Sequence, residues 1–139
     1  MGTHSIIRCW IKPSYKYEKP LLLLVIYQQF DGYLEGVGEK LALWLKEFKI
    51  VNGLPLDPYP TEFRLANGAE CLFAQLVADW KKGPGNLYIY DHNARNEEFN
   101  YDIFVCDNVI TIGYNKVEYT IDEFLEKINK NKNKKINKN

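Results

Sequence analysis

The hydrophobic residues of this chain fall into short runs and into one clear helical repeat. The runs at 5–12 and 21–29 are rich in Ile, Leu, Val and aromatic residues and predict strands, whereas the polar, Pro-containing stretch 13–20 predicts an exposed loop between them. Apolar residues then recur at three-and-four spacing, which predicts a helix that ends near Lys49. The residues on its apolar face are Val37, Leu41, Trp44, Leu45 and Phe48.

A second helix and a strand-rich half follow a long loop with prolines at 55, 58 and 60. This helix is expected to start at Asn67, whose side chain can cap free backbone N–H groups, and to end by Gly83. Further strands are predicted at 86–90, 99–106, 109–113 and around 117–119. The sequence Thr120-x-x-Glu123 is a capping box and predicts a final helix over 121–129.

The order of these elements is strands, two helices, strands and one helix. Strands at both ends of a helical insert favour an α+β fold, with a mostly antiparallel sheet, two central helices on one face and a short C-terminal helix. The length of 139 residues fits a single domain, placed at 1–129, and the Lys/Asn-rich segment 130–139 predicts a disordered tail. The residues expected in the core are Trp44, Leu45, Leu72, Leu76 and Val77.

Charge and composition narrow the class of partner. The 18 basic residues balance 18 acidic residues, so no overall field favours long nucleic acid or an anionic membrane. The sequence opens without a secretory signal pattern, and its longest apolar run is too short to cross a bilayer. Three widely spaced cysteines without a CxxC pair favour reduced thiols, which predicts a cytoplasmic location.

Signatures of catalysis and of metal binding are missing from the sequence. The histidines, His4 and His92, are far apart and lack ligand spacing, and there is no nucleophile elbow, Walker loop or GxGxxG pattern. Cys71 lies on an apolar helix stripe, which favours packing over reactivity. We therefore expect binding rather than catalysis, with no metal and no cofactor.

The most distinctive segment joins the second strand to the first helix. Three glycines in seven residues permit positive φ and close backbone approach, and they precede a helix whose N–H groups favour an anion. Neighbouring amides can read base edges, and aromatic rings can stack on bases. On the glycines alone, a connection that merely needs sharp bends is the favoured alternative. The candidate ligand-binding residues here are Tyr27, Gln28, Gln29, Phe30, Asp31, Gly32, Tyr33, Gly36 and Gly38.

Three polar residues elsewhere complete the candidate site. Asn67 is either a helix cap or a ligand contact. Gln75 lies in an otherwise apolar helix, so a solvent-facing position does not explain its polar side chain. The guanidinium of Arg95 suits a phosphate, although surface arginines are also common. A chain this short offers little concavity for a dinucleotide, so we expect a homo-oligomer, a dimer or a tetramer, with pockets between subunits.

These segments resemble a family of small proteins from bacteriophages, with relatives in bacteria and giant viruses. The family pattern begins Met-Gly-Thr-Arg-Ser, has Tyr-Arg-Gln-Phe-Asp-Gly-Tyr-Pro-x-Gly-His-Gly before the first helix, and continues with Val-Asn-Gly and Ala-Asn-Gly-Met-Gly-Cys-Leu-x-Ala-Gln. The matching stretches here are 1–5, 27–38, 51–53, 66–68, 71–72 and 74–76. The chain departs from the pattern at His4, Gln28, Leu34 and Val37. The changes at His4, Gln28 and Val37 remove positive charge that a phosphate contact would use.

The resemblance extends to viral sponge proteins that sequester cyclic dinucleotide signals of host defence, such as the CBASS type. It implies a non-catalytic protein that binds a small nucleotide in the host cytoplasm. Tight binding without hydrolysis agrees with the missing catalytic signatures. Two alternatives stay open: a nucleotide-cleaving hydrolase that uses His4 or His92, and a protein–protein interaction module with an exposed apolar surface.

Overall fold

The computed structural model describes residues 2–14, 18–53 and 62–137. Parts of the two predicted loops, at 15–17 and 54–61, therefore lie outside the described residues. The elements are β1 Ser5–Ile11, β2 Leu21–Gln28, a π-helical turn Leu34–Gly38, α1 Glu39–Lys46, β3 Phe48–Val51, β4 Arg64–Asn67, α2 Gly68–Trp80, β5 Leu87–Tyr90, β6 Phe99–Cys106, β7 Val109–Tyr114, β8 Val117–Thr120 and α3 Ile121–Asn137.

Six of the strands form one sheet in the order β5-β2-β1-β6-β7-β8. Four of its five strand pairs are antiparallel, and only β1 and β6 run parallel. Strands β3 and β4 form a separate parallel pair. The predicted α+β fold with a mostly antiparallel sheet is therefore confirmed.

All three helices pack on one face of the six-stranded sheet. Ile7, Ile26 and Ile103 alternate inward on neighbouring strands and join buried residues of the helices in one hydrophobic cluster. The buried helix residues include Leu41, Leu45, Leu72, Leu76, Phe124 and Ile128. Of the five predicted core residues, Val77 is only partly buried, at the edge of this cluster, and the other four are buried.

Two local predictions are wrong. Helix α1 ends at Lys46 rather than near Lys49, because Phe48 begins β3 and is buried there. Asn67 occupies the N-cap position of α2, but its Oδ1 accepts a hydrogen bond from the backbone N–H of Gly53 at 2.8 Å and caps no helical N–H. Tertiary contacts outweigh the local preference in both places.

The C-terminal helix is longer than predicted. Its capping box is confirmed, since Thr120 Oγ1 accepts from the Glu123 N–H at 3.1 Å and Glu123 Oε1 accepts from the Thr120 N–H at 2.8 Å. The prediction of a disordered tail is wrong for 130–137, because α3 continues to Asn137. Residues 138–139 lie outside the described part of the chain.

Ion pairs explain why the basic half of α3 is ordered. Lys132 pairs with Glu39, and Lys135 Nζ lies 3.0 Å from Glu35 Oε1. Glu35 belongs to the π-helical turn, and Glu39 is the first residue of α1. Within the described ranges, no helix combines the length and the apolar composition needed to span a bilayer.

The Glu35–Lys135 pair predicts a pH-dependent contribution to stability. The ion pair with Lys135 lowers the pKa of Glu35, and burial opposes this effect. A lowered folded-state pKa stabilises the fold above the ordinary Glu pKa of about 4.3, and this stabilisation is lost as the pH falls through the folded-state pKa. Lys135→Gln should therefore lower the free energy of unfolding by less than about 1 kcal/mol at pH 7 and by progressively less in acid.

Urea unfolding between pH 7 and pH 3 measures this difference. The matched control is Lys134→Gln, because Lys134 is exposed and forms no ion pair with a described residue. A Lys135→Gln effect that is constant over this pH range would contradict the assignment.

Candidate ligand-binding cavity

A cavity of about 570 Å³ opens where β2 ends and the π-helical turn begins. Its volume lies within the range of about 300–1,000 Å³ that is usual for small-molecule sites. Its lining residues are Gln28, Phe30, Asp31, Gly36, Val37, Lys40 and Asn86. The first four belong to the predicted segment, and the structure adds the other three.

The segment between β2 and α1 is held by backbone hydrogen bonds. Asp31 adopts a left-handed conformation with φ of 56°, and its carbonyl accepts from the Val37 N–H at 2.8 Å. The Gly32 N–H donates to the Thr3 carbonyl at 2.9 Å, and the buried Tyr101 hydroxyl donates to the Gly32 carbonyl at 2.7 Å. The cavity wall is thereby fixed to residues before β1 and to β6.

The glycines of this segment are needed for packing within the chain. A Cβ on Gly36 would lie 2.1 Å from the Asp31 carbonyl oxygen, and one on Gly32 would lie 2.8 Å from Ser5 Cβ. A Cβ on Gly38 would lie 3.1 Å from the Tyr101 ring. None of the three has a positive φ, so that part of the prediction is wrong. The lack of room for a side chain at these positions indicates that the glycines are needed for the bend of the chain, and it does not support a phosphate cradle.

Two polar groups of the cavity, the Gln28 amide and the Lys40 ammonium, have no hydrogen-bond or ion-pair partner among the described residues. Gln28 is 4% exposed, and its Nε2 has no hydrogen-bond partner among the described residues. Lys40 Nζ lies 4.4 Å from the centroid of the Trp80 ring and forms no ion pair with a described carboxylate. The Phe30 side chain is half exposed. The cavity thus presents an amide, a cation and an aromatic ring.

Gln29 supports this cavity without lining it. Its Oε1 accepts from the Asn86 N–H at 3.0 Å, and its own N–H donates to the Asn86 carbonyl at 2.9 Å. Asn86 has a φ of 68° and precedes β5, which pairs with β2. These bonds fix Asn86 at the rim of the cavity.

Two aromatic candidates lie outside the cavity. Tyr27 is on the opposite face of the sheet, where its ring stacks on Tyr90 with centroids 4.6 Å apart. Burial of the side chain raises the pKa of Tyr27, and the neighbouring Tyr90 raises it further by a smaller amount. Tyr33 is exposed and does not line the cavity.

The three distant candidates are not brought to the cavity either. These candidates are Asn67, Gln75 and Arg95. Asn67 Oδ1 accepts a hydrogen bond from the Gly53 N–H. Gln75 Nε2 donates to the Leu65 carbonyl at 3.0 Å, so contacts within the chain occupy its amide. Arg95 is exposed and follows Ala94, which packs on the face of the sheet opposite the helices.

Sequence reasoning missed Lys40, Asn86 and the cavity-lining role of Val37. Lys40 lies four residues after Gly36, so helical spacing places both on one side and is a usable signal. Asn86 is distant in sequence and is located only by the register that pairs Gln28 with Leu87. The sequence places Val37 on the apolar face of the first helix, and the residue is buried.

An apolar groove of about 520 Å³ lies between β2 and α2. It is lined by Leu23, Leu24, Glu70, Phe73, Ala74 and Val77. The groove contains one charged side chain, so its chemistry suits an apolar partner rather than a nucleotide.

The cavity beside β2 offers groups for binding an anion, a ring and a hydroxyl. Neither His4 nor His92, which a hydrolase was expected to use, lines it. Across 2–14, 18–53 and 62–137, no three His, Cys, Asp or Glu residues are grouped to hold a metal ion.

Comparison with known proteins gives no match: no family model, no curated protein and no solved structure is significantly similar to this chain.

Proposed function

We propose that this protein binds a small nucleotide without cleaving it and acts by sequestering that nucleotide as a signal. The observation that carries the proposal is the presence of Phe30, Lys40 and Gln28 around one cavity. An aromatic ring, a cation and an amide match the base face, the phosphate and the base edge of a nucleotide.

Phe30 supplies the stacking surface. Its side chain is 52% exposed, although a large apolar ring is more stable when covered. Stacking of a base on an aromatic ring contributes about 1–3 kcal/mol and tolerates different bases. A ligand base lying on Phe30 would bury the ring and place the base edge toward Gln28.

Lys40 supplies the positive charge. Two nearby carboxylates, Glu35 and Glu39, are paired with Lys135 and Lys132 of α3, so they oppose an anion less than free carboxylates would. Asp31 remains in the lining, and its carboxylate can accept hydrogen bonds from ribose hydroxyls. The basic half of α3 therefore supports anion binding from outside the cavity.

The signal is of the cyclic dinucleotide type in this proposal, and its removal blocks a host antiviral response in the cytoplasm. That part rests on the sequence resemblance. A dimer or tetramer belongs to the proposal because a second subunit would cover a ligand that extends beyond the cavity.

Titration calorimetry with cyclic dinucleotides, linear dinucleotides and mononucleotides tests this function. Wild-type protein should bind at least one of them, and Lys40→Gln and Phe30→Ala should each weaken binding about tenfold or more. Lys49→Gln and Phe63→Ala are matched controls, because both residues are exposed and outside the cavity. Their affinities should equal that of the wild type.

The outcomes separate the alternatives. Ligand recovered intact from the complex supports sequestration, whereas conversion to a linear product would establish a hydrolase. No binding to any nucleotide, or equal affinity in the Lys40→Gln and Phe30→Ala variants, would contradict the proposal.

A protein–protein interaction module is the second candidate function. The apolar groove between β2 and α2 favours it, since Leu23, Leu24 and Val77 are only partly buried there. We rank it second because this groove lacks the combination of charge, ring and amide that the cavity has.

A further inference from the structure

Two buried polar groups lie side by side at the end of β2 that forms the cavity. Gln28 and Ser5 are directly opposite each other in the β1–β2 register and share the helix-facing side of the sheet. Ser5 is fully buried and Gln28 is 4% exposed. Within the described residues, neither Ser5 Oγ nor Gln28 Nε2 has a hydrogen-bond partner.

Unpaired groups of this kind are unfavourable for folding. A buried donor or acceptor without a partner carries a desolvation penalty, and most such groups in folded proteins are hydrogen-bonded. Other buried or half-buried polar side chains nearby are paired: Tyr101 donates to the Gly32 carbonyl, and Gln29 accepts from the Asn86 N–H. Glu35 Oε1 also lacks a hydrogen bond of good geometry, but Lys135 Nζ lies 3.0 Å from it, whereas Ser5 and Gln28 have no such charged neighbour within the described residues.

We infer that Gln28 is the specificity-determining residue of the cavity floor and binds an acceptor atom on the ring of the ligand. This inference rests on the proposed function. The acceptor is a ring nitrogen or keto oxygen of a nucleobase, because Lys40 provides the charge for phosphate. Gln28 Nε2 donates to this acceptor, whereas Ser5 is fully buried beside Gln28 and does not line the cavity.

The position of Phe30 supports this assignment. Gln28 and Phe30 are two residues apart and line the same cavity. A base that stacks on Phe30 presents its edge, rather than its face, to neighbouring polar groups. The polar floor and the stacking wall can thus bind one ring together.

Gln28→Met provides the decisive test because it removes the amide while keeping a similar side-chain length. If the unpaired amide destabilises the free protein and is present to bind the ligand, the variant should have a melting temperature roughly 3 °C higher, because the unpaired polar group is gone. The same variant should bind its nucleotide about tenfold to a hundredfold more weakly. A purely structural role does not produce this opposite pair of changes.

The matched control is Gln75→Met. Gln75 is a glutamine whose amide is bonded within the chain and lies outside the cavity. It should melt lower than the wild type and bind with unchanged affinity. Gln28→Asn is a smaller change that keeps the inference testable if Gln28→Met does not fold. It shortens the side chain and withdraws the amide from the cavity, so its affinity should also fall, by about threefold or more.

Nucleosides separate base recognition from phosphate recognition. The loss caused by Gln28→Met should be the same for a nucleotide and for the nucleoside with the same base, whereas the loss caused by Lys40→Gln should disappear with the nucleoside. Unchanged affinity in Gln28→Met and Gln28→Asn, or a Gln28→Met loss that disappears with the nucleoside, overturns the inference and leaves the proposed function standing. If wild-type protein binds no nucleotide and no nucleoside, the proposed function is wrong and the inference with it.

Discussion

Gly36→Ala is expected to lower the free energy of unfolding by roughly 2–4 kcal/mol, as overpacking of a rigid site does. The added Cβ would lie 2.1 Å from the Asp31 carbonyl oxygen. That oxygen belongs to the backbone and already accepts from the Val37 N–H, so it cannot move away without breaking the turn. Urea unfolding at pH 7 measures the loss.

Gly53→Ala is the control for this prediction. Gly53 has a φ of 93°, and among the described residues no atom lies within 4 Å of a Cβ built on it, so the substitution carries backbone strain without a clash against them. It should reduce stability by only about 1 kcal/mol. A Gly36→Ala loss no larger than the Gly53→Ala loss would show that the close approach at Asp31 does not constrain the turn.

Phe124→Ala is expected to reduce stability by about 3–5 kcal/mol, the usual cost of truncating a fully buried phenylalanine. Phe124 is 0% exposed, and its ring centroid lies 6.4 Å from that of Tyr101 and 5.5 Å from that of Tyr119. The residue fixes α3 to the sheet, so its loss should lower the melting temperature of the whole domain in calorimetry.

Glu126→Ala is the matched control on the same helix. Glu126 is exposed, and its replacement should change stability by less than about 0.5 kcal/mol. If Phe124→Ala reduces helical content without lowering the main unfolding transition, α3 is not part of the cooperative domain.

The regular elements follow closely from the sequence because each has its own local signal. The strands β1, β2 and β6 are apolar runs that end at polar or turn residues, and the structure places them within one residue of the prediction. Phe48 was misassigned because an apolar residue at that position satisfies both a helical repeat and a buried strand. The length of α3 was missed because Lys and Asn composition carries no information about Glu35 and Glu39.

The cavity was predictable only where it is local in sequence. The alternation of a strand is enough to place Tyr27 and Gln28 on opposite faces, and Gln28 lines the cavity together with Phe30. Asn86 depends on pairing between β2 and β5, which no local pattern specifies. Glycines indicate that a backbone or a ligand approaches closely, but they do not distinguish the two, and Gly36 proved to face Asp31.

The central claim is that a nucleotide binds in the cavity at the end of β2. A titration of ¹⁵N-labelled protein with a cyclic dinucleotide, followed by two-dimensional NMR, tests it most directly. The predicted result is that the largest amide shifts fall within residues 28–40 and at Asn86, with little change at Gln75 or Arg95. The absence of any shift, or shifts centred on the groove between β2 and α2, would contradict the claim.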